Sequence, residues 1–183
     1  MPRLVDHDQR RRELAAAAAA VIARAGLSGA TMREVAEEAG CTTGMVTHYF
    51  DDKQQVLLAA LDAVTRAVAA RIRAHVRTAR GPLLPAVLAE SLPLDEVRRI
   101  EWGVWIAFWG AAAVDEALRV AHVERYRRWR NTLADLLERD GRDPAAAESL
   151  MLAVDGIGLH ATFDPAAWPA ERQLAELERR IGP

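Results

Sequence analysis

Thr43, Gly44, Thr47, His48 and Tyr49 are small or hydrogen-bonding residues that share one face of a short helical stretch. Such side chains suit a helix lying in a DNA major groove, where base edges present donors, acceptors and the thymine methyl. Threonine can bond a base acceptor or pack its methyl on thymine, and His48 can donate to guanine or to phosphate. The other face of the stretch carries Val46 and Phe50, which belong in a core. A second chemistry-bearing group lies further along. Trp102, Trp105 and Trp109 recur at i, i+3 and i+7, Phe108 sits next to them, and Trp129 follows on the next helical segment. Two uses of these rings are open. They can line a pocket that holds a quaternary ammonium group by cation–π attraction, or they can fill an ordinary core. A pocket pairs apolar walls with a few placed polar groups, and the candidates here are His122, Tyr126 and Asp155.

Local signals fix the elements that must position the first group. Thr31 is a good N-cap, and Glu34 three residues later completes a capping box. Met32, Val35, Ala36 and Ala39 then recur at helical spacing. Gly40 ends that helix, because glycine accepts the left-handed backbone of a tight exit. Thr42 or Thr43 caps the second helix. Two helices meeting at a steep angle through a glycine-containing turn make a helix-turn-helix.

The segment resembles the DNA-binding signature of the TetR family of bacterial transcriptional regulators. Thr31, Ala36, Ala39, Gly40, Gly44, Tyr49, Phe50 and Lys53 stand in the places of the family pattern, and the likeness runs from about Gln9 to about Leu61. Thr47 stands where the family usually has tyrosine and Met45 where it often has threonine, which bears on the operator sequence. The resemblance implies that Thr43, Gly44, Thr47 and His48 approach base edges. It implies that Thr31, Arg33, Tyr49 and Lys53 contact phosphate or position the helix, with Thr42 at its start. In the second half, the run Trp102–Trp109, the segment Tyr126–Arg130 and Asp155-Gly156 are similar to the C-terminal domain of the choline-responsive, BetI-like branch. The partners implied are a double-stranded DNA operator, a second copy of the chain and a small-molecule effector.

Composition sets bounds on these readings. The 183 residues are long enough for a full hydrophobic core. Alanine, leucine and arginine dominate and β-branched runs are absent, which favours an all-α chain. The formal net charge of −2 excludes a bulk polycation, so DNA binding must rest on a local basic face. Candidates are Arg3, Arg10, Arg11, Arg12, Arg33 and Lys53, the only lysine, set against Asp51, Asp52, Glu34, Glu37 and Glu38. The lone Cys41 allows no intrachain disulfide and reads as a small buried hydrophobe. Arg10–Arg12 before Leu14–Ile22 has the outline of a cleaved leader. Alanine is a weak hydrophobe, though, and Glu13 interrupts the boundary, so the stretch reads as a first helix. No segment has the apolar length of a membrane span, and the expected setting is the cytoplasm.

The periodicity predicts a helix over His7–Ala25, with Leu14, Ala18, Val21, Ile22 and Ala25 on one stripe. With the two motif helices it makes a three-helix DNA-binding domain, residues 1–52. Residues 53–183 form a regulatory helical bundle. It begins with a long helix, Lys53–Thr78, whose buried seam is Leu57, Leu61, Val64, Val68, Ile72 and Val76 and whose solvated face carries Arg66, Arg71, Arg73 and Arg77. Further helices are expected over Leu83–Leu92, Asp95–Leu118, Val120–Arg139, Pro144–Phe163 and Pro169–Ile181. Trp102–Val114 is apolar on nearly every side, and Val120–Arg139 packs through His122, Tyr126, Trp129, Leu133 and Leu136. The helix bearing Met151, Leu152, Asp155, Gly156, Gly158 and Leu159 is apolar all round. One of its faces, with Leu174 and Leu177 of the last helix, is therefore expected to meet a second subunit across a two-fold axis. An enzyme finds little support. The sequence has no Glu-x-x-His pair, no histidine pair at metal-ligand spacing and no activated serine or cysteine constellation, and no cofactor or metal is expected. A DNA-binding protein with no effector remains as an alternative.

Overall fold

The computed structural model describes residues 7–78 and 80–182. Among them are nine α-helices, one 3-10 turn and no strand. The helices are α1 (His7–Gly29), α2 (Met32–Glu38), α3 (Thr43–Tyr49), α4 (Lys53–Thr78), α5 (Leu84–Ala89), α6 (Glu96–Ala112), α7 (Glu116–Arg139), α8 (Ala147–Phe163) and α9 (Ala170–Ile181), with the 3-10 turn Pro144–Ala146 leading into α8.

Side-chain caps start most of these helices. Thr31 Oγ1 accepts from Glu34 N at 3.1 Å, and Thr42 Oγ1 accepts from Met45 N at 3.3 Å, so Thr42 and not Thr43 caps α3. Gly40 has φ 61°, the left-handed exit expected of it. Gly26, at φ 68°, breaks α1, and Ala25 just before the break, expected on the apolar stripe, is exposed. The predicted helix Asp95–Leu118 is two elements. Asp115 Oδ1 accepts from Leu118 N at 3.0 Å, which caps α7 and ends α6 at Ala112. Val114, expected to be buried, sits in that turn at 90% exposure.

Two cores organise the chain. The first joins Leu14, Ala18, Val21 and Ile22 of α1 with Val35, Val46, Phe50 and the first half of α4, and it takes in Val104 and Phe108 of α6. The second joins Leu84 and Leu88 of α5, Trp102 of α6, Leu133 and Leu137 of α7, Leu150 and Val154 of α8 and Leu177 of α9. On α7 the buried position is Leu137; Leu136 is only half-buried. The seam of α4 fades along its length. Val56, Leu57, Leu61 and Val64 are buried, Val68 and Ile72 are half-buried, and Val76 is 41% exposed. Arg71, expected on the solvated face, turns inward to two carboxylates of α5 and α6.

Asp115 also accepts from Gln54 Nε2 at 3.4 Å and so ties α7 to the start of α4. Asp115→Ala is expected to lower stability by about 1 kcal/mol, the usual worth of an N-cap. Urea denaturation checks this: the midpoint should fall while the slope stays unchanged.

Candidate nucleic-acid interface and aromatic cavity

Thr43, Gly44, Thr47 and His48 of α3, expected to approach base edges, are all exposed, while Val46 and Phe50 are buried beneath them. Thr47 Oγ1 donates to Gly44 O at 3.2 Å. Its proton is thus engaged and its lone pairs face outward, so it presents an acceptor that suits the amino group of adenine or cytosine. The Tyr49 hydroxyl shares a 3.0 Å hydrogen bond with His7 Nδ1, and its ring stands edge-on to His48 at 5.2 Å.

The expected basic face is distributed differently. Arg11 Nη1 donates to Tyr49 O at 3.0 Å and its guanidinium lies 4.9 Å from the Phe50 ring centroid. Arg10 pairs with Glu13 at 2.8 Å and donates from Nε to Met45 Sδ at 3.1 Å. These two arginines brace α3 from α1. Lys53 Nζ donates to Ser28 O at 2.8 Å and pins the start of α4 to the last turn of α1. Arg33 is exposed, with Glu34 and Glu37 at 3.8 and 3.7 Å. Arg3 lies outside the described residues. Asp52, which stood against the basic face in sequence, caps α4 by accepting from Gln55 N at 2.8 Å.

A cavity of about 340 Å³ opens between α4, the end of α5, α6, α7 and α8. Six of the eight residues expected at a pocket line it: Trp102, Trp105, Trp109, Tyr126, Trp129 and Asp155. Phe108 and His122 do not. At about 100° per residue, Phe108 lies about 240° round the helix from Trp102, and it is fully buried in the first core. His122 sits behind Tyr126, ring centroids 4.3 Å apart, and burial lowers its pKa. Sequence reasoning missed Thr65, Val68 and Ile72 of α4 and the carboxylates Glu90 and Glu101. The sequence carries no signal for them: the apolar periodicity of α4 runs on through Val68 and Ile72, and Glu90 and Glu101 are placed only by the packing of α5 and α6.

The cavity carboxylates differ in their partners. Glu101 takes a bidentate pair of bonds from Arg71, Nη1 to Oε1 at 2.7 Å and Nη2 to Oε2 at 2.6 Å. Glu90 meets Arg71 and Arg98, both at 2.7 Å, and His75 at 2.8 Å. Burial works against the Glu90 charge, but the His75 bond and the two guanidinium groups outweigh it and hold its pKa below the ordinary range. Asp155 has no cation beside it. Burial pushes its carboxyl up to about 6, against the single 2.8 Å bond donated by the Tyr126 hydroxyl. Burial and the Asp155 charge together push the Tyr126 phenol upward. The Trp109 indole N–H lies close enough to oppose that rise but makes no well-formed hydrogen bond.

The residues expected at a subunit interface divide into two sets. Met151 and Leu177 are buried within this chain, Asp155 faces Tyr126, and Gly158 makes its close approach to Trp102 of the same chain. One face of α8 covers α6 and α7 and takes up Met151, Asp155 and Gly158, and Leu177 of α9 packs into the second core. Leu152, at 63% exposure, and Gly156 point outward, and Leu159 and Leu174 are half-buried. Phe163, not singled out in the sequence, joins the outward stripe at 70% exposure. No helix among the described residues is long and apolar enough to cross a membrane, and none of their His, Cys, Asp and Glu side chains group as a metal site.

An exposed helix of a helix-turn-helix on one core and an aromatic cavity beside the other define a helix-turn-helix transcriptional regulator with a second, cavity-bearing half. The chain belongs to the TetR family of bacterial transcriptional regulators. Residues 14–60 match the family model for bacterial regulatory proteins of the tetR family, and residues 82–182 match the C-terminal model of BetI-type transcriptional repressors. The chain is 34% identical to the HTH-type transcriptional regulator PksA of Bacillus subtilis, over 90% of this chain and 84% of that protein. It is also 34% identical to the HTH-type transcriptional regulator BetI of Burkholderia thailandensis, over 87% of this chain and 85% of that one. A transcriptional regulator from Saccharomonospora viridis, solved in complex with choline, superposes with a TM-score of 0.84 over 95% of this chain and 96% of that one. Its identity is 23%, and the likeness is one of fold.

Asp155 predicts a pH effect on stability. Its folded pKa of about 6 lies above the ordinary 3.8, so the stability it contributes is fully present below about 3.8 and is lost as pH rises through about 6. The loss is at most about 3 kcal/mol. Asp155→Asn keeps an acceptor for Tyr126 and should remove that loss. Urea denaturation of both proteins between pH 4 and 8 checks it: the stability difference should appear across this window.

Proposed function

We propose that the protein is a homodimeric repressor that reads a pseudo-palindromic operator and leaves it when a small organic cation enters the cavity. The observation that carries this reading is the cavity itself. Four tryptophans and a tyrosine line it, and Asp155 is its one carboxylate without a cationic partner among the described residues. Aromatic faces attract an ammonium group, and a cation beside Asp155 would relieve the cost of a buried uncompensated charge. The Saccharomonospora regulator, which has the same fold, holds choline, and this agrees with the chemistry read from the residues here. The outward stripe of α8, Leu152, Gly156 and Phe163, supports pairing with a second copy, because exposed apolar residues in register mark a contact surface. The reading places the DNA-binding part at residues 1–52 and the regulatory part from Lys53 onward, in a cytoplasmic regulator that is not an enzyme.

On DNA, Thr43, Gly44, Thr47 and His48 read base edges. Thr31, Arg33, Thr42, Tyr49 and Lys53 position the helix or contact phosphate. DNA selected from a random pool should contain two half-sites about 34–36 Å apart and bind two protomers or a multiple. Thr47→Ala should relax preference at one base pair per half-site by about 1–3 kcal/mol and leave the salt slope intact. Lys53→Ala should weaken binding to all sequences alike and lower the slope. Sequence-blind binding at every salt concentration would instead indicate an architectural binder.

Choline serves as the cation probe. It should lower operator affinity, and its own affinity should fall as pH drops through about 6, where Asp155 takes up a proton. Asp155→Asn should weaken choline binding and flatten that pH dependence. If choline binds but operator affinity does not change, the mechanism fails.

A further inference from the structure

Two neighbouring residues of α6 make backbone-close contacts with two different helices. A Cβ added to Gly103 would stand 2.8 Å from Ala23 Cα and 2.9 Å from Ala23 Cβ, closer than real side chains come. Ala23 belongs to α1, the helix whose Arg10 and Arg11 brace the recognition helix. The preceding residue, Trp102, lies about 100° round the helix and meets α8. Its six-membered ring occupies the space that a Cβ on Gly158 of α8 would need, and its indole N–H donates to Ser91 O at 2.9 Å.

Trp102 is also a wall of the cavity and meets Trp109 edge to face at 5.7 Å. A molecule entering the cavity bears on that ring. The ring cannot yield, because the α8 backbone is behind it and the Ser91 bond holds it. The displacement therefore passes to the axis of α6, and at Gly103 only the rigid Ala23 methyl lies between that axis and the α1 backbone. Close-packed interiors transmit strain rather than dissipate it. The cavity-facing half of α4 differs. It offers Val68 and Ile72, whose side chains can shift, and beyond them an exposed Val76.

We infer that Gly103 and Gly158 are positioning residues for the effector response: they seat α6 between α8 and α1, so that filling the cavity moves the DNA-reading unit through the Gly103–Ala23 contact. This rests on the reading of the cavity as the effector site.

The test compares full-length wild type, Gly103→Ala and Leu137→Ala, a second-core variant that loses stability away from the joint. Affinities for the selected operator and for choline are measured with the melting temperature. A substitution that shifts the balance between an operator-binding and a choline-binding arrangement moves the two affinities in opposite directions. Gly103→Ala should change operator affinity at least fivefold and choline affinity in the opposite direction, while folded Leu137→Ala changes neither by more than twofold. If Gly103→Ala matches Leu137→Ala, or loses both affinities together, the joint is overturned. Should Gly103→Ala fail to fold, Ala23→Gly decides: it removes the methyl that Gly103 abuts and should cut the choline effect on operator affinity at least fivefold, and an unchanged effect overturns the inference. If choline does not bind wild type, the cation reading fails by itself. The operator arm still decides the joint, and unchanged operator affinity in folded Gly103→Ala overturns it.

Discussion

A helix that is apolar on almost every side has to be enclosed, and most of this structure follows from how α6 is enclosed. Val104 and Phe108 face the first core, Trp102 faces the second, and Trp105 and Trp109 face the cavity. Burying a side chain such as Phe108 contributes about 2–3 kcal/mol, so α6 binds each core tightly. The consequence reaches the DNA-reading end. Helices α1 to α3 do not close a core alone; Val104, Phe108 and Ala112 complete it. The recognition helix is therefore held by a core that the cavity-bearing helix helps to build.

The charges follow a related economy. The chain holds 24 basic residues, nearly all arginine, yet carries a net charge of −2, and the arginines largely serve the fold. Arg71 clamps α4 to Glu90 and Glu101, Arg98 joins them, and Arg10 and Arg11 fasten α1 to α3. Buried pairs of this kind return little net stability, but losing one partner leaves a charge stranded, so they set geometry more than they add strength. Against that background Asp155 is an anomaly. Every other cavity carboxylate among the described residues has a guanidinium; this one has only a phenol and carries a raised pKa.

Local features were legible in the sequence. The Thr31 and Thr42 caps and the Gly40 exit depend on residues three or four apart, and the tryptophan spacing fixed a helix face before any fold was known. What stayed hidden depends on which helices meet. Arg71 reads as solvated until α5 and α6 bring Glu90 and Glu101 beside it. Gly158 reads as room for a partner helix until Trp102 fills that room. Phe108 shares the tryptophans' neighbourhood in sequence but not their face. The break at Asp115 was missed because an aspartate between apolar runs reads as an interruption until its carboxylate is seen to cap the next helix.

The failure of the α4 seam is the most informative mismatch. Sequence periodicity continues through Val68 and Ile72, and a chain selected for stability alone would pack them against large side chains from α6 and α7. Large side chains are there, but Trp105 and Trp129 line a cavity together with Val68 and Ile72. The upper part of α4 is held by the Arg71 ion pairs instead of by a core. Packing has been given up at the place where aromatic rings and an uncompensated carboxylate converge. Departures from local consistency of this kind concentrate at functional sites. A ligand filling that gap would supply the core that α4 lacks, and it would bear at the same time on Trp102 and so on α6, which meets α1 at Gly103.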